Sequence, residues 1–264
     1  MAILRVPMKS ICLPRCLLPG IAMALMQCAM GLACAQAPVV ASALQHTNGQ
    51  EASDPGAVQE VILACPLGGQ SFNYRVARFS VARGYALDMQ PYGTADLPWL
   101  LPECPGNGFV LYKQRFSTTE VQRLRSVVEQ RGFAVHPVYY RAFLMARTLE
   151  EPLQLQLQLL QRATWRGGSP YRYQALSLLE RLLADSAQTE RARLDLLLLQ
   201  AEYQRRLGQF EAAQRSVELA VVVEPEVLKT AKSILQCQQE LIAQKNRHAS
   251  PIPGKQARCG DRID

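Results

Sequence analysis

The sequence has no Cys-x-x-Cys pair, which excludes a thioredoxin-like redox centre. Histidine is scarce. His46, His136 and His248 stand far apart and none falls at knuckle spacing, so imidazole does not supply a local zinc site. The chain also lacks G-x-S-x-G, H-E-x-x-H and G-x-x-x-x-G-K-[ST]. It therefore carries no nucleophile elbow, helical zinc-protease site or phosphate-binding loop. Basic excess is thin: the formal charge is +7, but Arg5, Lys9 and Arg15 lie in a segment expected to be removed, and without them 26 basic residues face 22 acidic ones. Nucleic-acid recognition calls for a pronounced basic stripe, so none is expected; the basic run Arg75, Arg78, Arg83, Lys113, Arg115, Arg123 and Arg125 reads as a solvated face, with contact to an acidic surface as the alternative.

The N-terminus reads as an export signal. Three basic residues and no acid precede an apolar stretch from Cys16 to Leu32, followed by the small residues Ala33-Cys34-Ala35 and Ala35-Gln36-Ala37. Cleavage after Ala35 is preferred to Ala37, because Pro38 would hinder the second site. An uncleaved membrane anchor is the alternative, against which the run is short and broken by Gly20 and Gln27. A lipoprotein is disfavoured, since Cys34 follows Gly31-Leu32-Ala33 with glycine where leucine is wanted. Residues 1–35 are thus assigned to the signal and the small, polar residues 36–57 to a flexible leader. Four of the eight cysteines fall inside the signal. Cys65, Cys104, Cys237 and Cys259 remain, and an even number in an exported chain permits disulfides, with three pairings open.

Cys65-Pro66-Leu67-Gly68-Gly69 and Cys104-Pro105-Gly106-Asn107-Gly108 share one grammar, that of a Cys-Pro-x-Cys-Gly zinc knuckle without its second cysteine. Gly68 and Asn107 stand where thiolates should be. A structural zinc ion needs four ligands, so no cofactor is expected and zinc is disfavoured. In a ribbon the two retained cysteines face each other across the metal, and in an oxidising compartment a Cys65–Cys104 disulfide is the natural replacement; two buried thiols are the alternative. Cys237 and Cys259 form a possible second pair, with intermolecular pairing as its competitor.

Short apolar stretches at Val61–Leu63, Phe72–Ala77 and Phe109–Tyr112 predict a small β-rich head over residues 58–116, with Tyr85, Tyr92 and Trp99 in its core. From Ser117 the pattern is helical through residue 245. Ser117-Thr118-Thr119-Glu120 is a capping box, Gly132 a left-handed stop, and Pro137 and Pro152 open the next two helices. The alternation Leu153–Leu160 suits a strand or a helix, and leucine with glutamine favours helix. Helices follow over Tyr171–Ala184, Leu194–Leu207 and Phe210–Val223, and a last one from Pro225 through Ile242; residues 246–264 read as a loose tail.

Counting a 34-residue unit from Leu194 places Ala201, Gly208, Phe210, Ala213, Ala220 and Pro225 at positions of the tetratricopeptide pattern. Small residues let antiparallel helices approach, glycine permits the turn, and proline opens the next helix. Residues Gln154–Asp185 form a degenerate unit before it. The fold expected is α+β, mainly α: a metal-free, zinc-ribbon-like head followed by a tetratricopeptide-like body. Such repeats present a concave surface to a protein or peptide, here in the cell envelope, with membrane contact only through an uncleaved N-terminal segment. From Glu150 to Lys245, 12 acidic residues balance 12 basic ones, so no strongly charged ligand is implied. The expected function is an exported, periplasmic interaction or scaffold module with no catalysis identified. The alternative is an envelope enzyme whose site, between head and helices, uses carboxylates such as Asp88, Asp96 and Glu103. His136, beside Pro137, reads as a polar helix cap.

Over residues 60 to 244 the chain resembles a bacterial family of unknown function in which a Cys-Pro-x-Cys-Gly knuckle pair precedes tetratricopeptide-like helices. The likeness rests on Cys65–Phe72, on Leu87-Asp88-Met89-Gln90-Pro91-Tyr92, and on Cys104–Phe109. It implies the architecture above. The lost cysteines depart from the family's zinc-binding pattern, and no activity carries over.

Overall fold

The computed structural model describes residues 58–77, 82–93, 99–223, 225–255 and 257–263; the export signal, the leader, His46 and Asp96 lie outside them. The strands are β1 (Val58–Ala64), β2 (Ser71–Ala77), β3 (Ala82–Tyr85) and β4 (Pro91–Gly93). They precede helices α1 (Thr118–Val128), α2 (Val138–Thr148), α3 (Leu153–Gly167), α4 (Ser169–Leu183), α5 (Glu190–Arg206), α6 (Phe210–Val221), α7 (Pro225–Lys229) and α8 (Lys232–Ala243). The architecture is α+β and mainly helical. β1 and β2 form one antiparallel hairpin, in register from Val58↔Ala77 to Ala64↔Ser71; β3 and β4 form a second, with Tyr85 opposite Pro91 and an irregularity between Ala82 and Gly84.

Local chemistry accounts for most helix ends. Ser117 Oγ accepts from the Glu120 amide at 3.2 Å and the Glu120 carboxylate accepts from the Ser117 amide at 2.8 Å, the reciprocal capping box. Leu153–Leu160 is helical: Leu157, Leu160, Ala163 and Thr164 turn inward, and the buried Gln156 amide is satisfied by the Glu151 carbonyl. α5 ends in a Schellman motif, with the Gln209 amide on the Gln204 carbonyl and the Gly208 amide on the Arg205 carbonyl. Gly208 has φ +81°, which explains the glycine.

Several expectations change. The continuous helix expected from Pro225 breaks into α7 and α8, because the Thr230 hydroxyl folds back on the Val227 carbonyl and also accepts from Arg191. α5 starts four residues before Leu194, capped by Thr189. Phe109–Tyr112 is not a strand: a single bridge joins Glu103 and Val110. The β3–β4 hairpin was not expected at all. Tyr85 and Trp99, read as core, are 47% and 41% exposed. His136 gives α2 no side-chain cap; its ring packs edge-on against Tyr140.

The head has no separate core. Cys65, Leu67, Cys104, Phe109, Val110 and Tyr112 bury together with Leu124 of α1, Phe143 of α2, Leu160 of α3, Leu179 of α4 and Tyr203 of α5. A second cluster joins α5, α6 and α8, with Ala201, Ala213 and Ala220 fully buried where the helices meet and Phe210 packed against them. A third, small one joins Leu87 to Cys237 and Leu241 of α8. The tail read as loose is docked instead. Ser250 and Pro251 are buried, Ala86 bridges Pro251, and the Ile252 amide donates to the Tyr85 carbonyl. Sequence composition hid this, because the backbone partners of Ser250–Ile252 at Tyr85–Leu87 lie more than 150 residues away.

Candidate functional site

The two knuckles fold alike. In each, the cysteine amide donates to the carbonyl five residues on (Gln70, Phe109) and its carbonyl accepts from the amide four residues on (Gly69, Gly108). Gly68, Gly69, Gly106 and Gly108 all take positive φ, the conformation the motif's glycines supply. Cys65 and Cys104 lie at disulfide distance, with Sγ atoms 2.14 Å apart. Asn107, in the position of a missing thiolate, makes a different link: its Nδ2 donates to the Leu67 carbonyl at 2.8 Å while its Oδ1 accepts from the Phe109 amide at 2.9 Å. One side chain thus ties knuckle to knuckle and closes its own turn. Among the described residues no group of three or more His, Cys, Asp or Glu side chains comes together to hold a metal ion.

Arg141 of α2 anchors the second knuckle. Its guanidinium donates to the Gly108 and His136 carbonyls and pairs with Glu103 at 2.5 Å. A Cβ on Gly108 would lie 2.6 Å from Arg141 Nη1. Lys113 makes a second link, pairing with Glu120 of α1 at 2.5 Å and Glu151 of the α2–α3 loop at 2.7 Å. Although burial opposes it, hydrogen bonds to those carboxylates raise the Lys113 pKa above its ordinary value.

The most concentrated chemistry lies where the turn after β3 meets the helices. Asp88 is fully buried. Its Oδ2 accepts from Arg206 of α5 at 3.1 Å, its Oδ1 from the Gln90 amide, and its carbonyl from Gln161 Nε2 of α3. Three residues further along α3 the Thr164 hydroxyl meets Tyr203 Oη at 3.3 Å, and burial drives the Tyr203 pKa far above its ordinary value. Beside Arg206, Arg205 grips Glu202 with Nε and Nη2 at 2.9 and 2.7 Å and donates to the Asn246 and His248 carbonyls. Both members of that ion pair are buried. Burial raises the Glu202 pKa to about 7, against the opposing pull of Arg205. Arg172 of α4 is within electrostatic reach of Asp88, Glu202, Tyr203 and Arg206.

The cysteines read from the sequence therefore pair as Cys65–Cys104 and Cys237–Cys259, the second with Sγ atoms 2.10 Å apart. The carboxylates do not form one set: Asp88 is held by Arg206 on α5 and Glu103 by Arg141 on α2. Among the described residues, one open surface groove, of about 350 Å³, runs along Gly106, Asn107, Val128, Glu129 and Val135. Another, of about 370 Å³, follows Gly208, Phe210, Glu211, Arg215 and Lys245. Asp88 and Glu103 line neither. Sequence reasoning missed Arg172, Glu202, Arg205 and Arg206. A signal existed in α5, where Glu202 and Arg205 stand three apart on the helix that also carries Leu194, Leu198 and Ala201, so that pairing is what permits their burial.

Among the described residues no helix is long and apolar enough to cross a membrane. No family model, curated protein or solved structure matches this chain.

Proposed function

We propose that this chain is an exported protein-interaction module of the bacterial cell envelope: a ribbon-like head, clipped by a disulfide in place of zinc, on a tetratricopeptide-like body. The observation that carries the reading is the way the helices hold two segments of their own chain. Arg205 donates to the Asn246 and His248 carbonyls, Gln161 to the Asp88 carbonyl, and Arg206 binds the Asp88 carboxylate. These are contacts by which side chains hold peptide, made here in cis. Two cysteine pairs at disulfide distance agree with an oxidising compartment.

Because α3 and α5 already hold the Asp88 turn and α5 the start of the tail, the partner is expected elsewhere. The groove beside the second knuckle is the better candidate, since Val135 on its rim is 83% exposed. Ala201 and Ala213 are fully buried, and enlarging them would overpack the helix seam by about 1–3 kcal/mol, so they are unsuitable probes of binding. The test is a photo-crosslinking residue at Val135 in cells, with exposed Glu190 as the control position. A discrete adduct from position 135 alone, lost in a crosslinking variant that also carries Glu129→Arg at an exposed position of the same groove, supports the reading. Equal labelling at both positions, or none at either, would contradict it.

A further inference from the structure

The charges around the Asp88 turn do not balance. Three arginines, Arg172, Arg205 and Arg206, share the region with two carboxylates, Asp88 and Glu202. Arg205 is fully engaged by Glu202 and by the Asn246 and His248 carbonyls. Arg206 gives one N–H to Asp88, but its Nε is buried with no acceptor. Arg172 is the extreme case. It is only 7% exposed, no carboxylate lies at ion-pair distance among the described residues, and its Nε is buried with no acceptor.

An arginine does not escape such a position by releasing its proton, so an unpaired buried guanidinium keeps its full desolvation cost. Burial, reinforced by Arg206, lowers the proton affinity of Arg172, in keeping with an excess of positive charge. Glu202 offsets that charge weakly, since burial raises its own pKa to about 7. A third unused donor lies on the neighbouring helix: Trp165 Nε1 is buried without an acceptor, one helical turn beyond Gln161, which holds the Asp88 carbonyl. The unmet groups on α3, α4 and α5 are all N–H donors, and the unmet charge is positive.

We infer that Arg172 and Arg206 form a binding site for one small oxyanion, of carboxylate or phosphate type, taken from solution. The planar fork of each guanidinium suits such oxygens, and a single negative charge would bring the three arginines into balance. The inference stands apart from the partner proposed above, since it concerns the buried side of the body.

The test uses the full exported chain, disulfides intact, dialysed into a low-chloride zwitterionic buffer. Sodium phosphate and sodium acetate are titrated separately, with sodium chloride at matched ionic strength as control, and Tm is followed. The expected result is a saturable rise in Tm with phosphate or acetate that chloride does not reproduce. In Arg172→Gln the apparent Kd weakens at least tenfold, while Tm without anion equals or exceeds that of the parent, because an unpaired buried charge has been removed. Arg172→Met serves as the second variant and should behave alike. A rise that does not saturate, a rise undiminished in Arg172→Gln, or failure of both variants to fold in anion-free buffer would each overturn the inference, leaving ordered water as the partner of these donors.

Discussion

Replacing Asp88 with asparagine isolates the contact that fastens the β3–β4 hairpin to the helices. The side chain keeps its shape, and Oδ1 can still accept from the Gln90 amide. With that bond kept, the atom facing Arg206 at 3.1 Å becomes an amide donor pointed at a donor; in the flipped orientation Arg206 keeps a neutral acceptor and the Gln90 amide faces the donor instead. Arg206 and Arg172 then share a buried region with no carboxylate of their own. Removing one partner of a buried pair costs about 3–5 kcal/mol, most of it the desolvation of the charge left behind. The hairpin's other links, Ala86 to Pro251, Ile252 to Tyr85 and Leu87 against α8, are untouched, so the loss should stay near the lower figure. With a urea slope of about 3 kcal/mol/M, a loss of ~3 kcal/mol moves the midpoint by about 1 M. Urea unfolding of the oxidised protein, followed by tryptophan fluorescence, measures this directly. Arg206→Gln should also destabilise, and the double variant should be better than additive by about 2 kcal/mol. Arg172→Gln placed on Asp88→Asn should recover part of the loss, by removing the second uncompensated charge. A midpoint within about 0.2 M of the parent, or strict additivity in the cycle, would refute the ion pair as the fastening.

Three further outcomes follow from other parts of the molecule. Because burial raises the Glu202 pKa from 4.5 to about 7, the folded protein holds that proton more tightly than the unfolded chain, so this group's contribution to stability is full below pH 4.5 and is lost as pH rises to about 7. The loss is about 3 kcal/mol by linkage, and Glu202→Gln should flatten that part of the pH–stability curve measured by chemical unfolding. Replacing Cys237 and Cys259 by alanine frees a segment spanning 22 positions; the chain-entropy estimate is about 3 kcal/mol, and limited proteolysis should cut first between residues 247 and 258. Gly108→Ala forces a side chain into a φ of +70° and against Arg141 Nη1, for a cost of about 2–4 kcal/mol in thermal or urea unfolding, whereas Gly132→Ala, with open space around it, should cost less.

What could be read in the sequence was what local chemistry determines. Ser117 and Glu120 make their own cap, Pro137 and Pro152 open helices, and Gly208 ends one; each acts within a turn of itself. The knuckles were legible for the same reason, since proline and glycine at fixed offsets dictate a turn whether or not metal is present. The pairing of Cys65 with Cys104 followed from the geometry of that motif. Residues whose role depends on distant partners were not legible. Asp88 and Arg206 are 118 positions apart, and nothing near either announces the other. Ser250 and Pro251 look like loop composition, yet the outer edge of the segment Tyr85–Leu87 gives them partners. Trp99 illustrates the reverse error: an aromatic in an apolar stretch reads as core, but here its backbone carbonyl, accepting from Tyr139 Oη, is the buried part of the contact and the ring lies partly in solvent. Arg172 had no signature at all, since a lone arginine in a leucine-rich helix looks solvated until neighbours cover it.

The proposed function requires that the chain be exported and its knuckle pair and tail be closed covalently. The measurement that bears on it most directly is the mass of the protein recovered from its native envelope, intact and after digestion, with and without reductant. The account predicts a chain lacking residues 1–35, four fewer hydrogens than the fully reduced form, and crosslinked peptides joining Cys65 to Cys104 and Cys237 to Cys259. A full-length chain with all eight thiols free, or crosslinks that join the cysteines in another pairing, would contradict it.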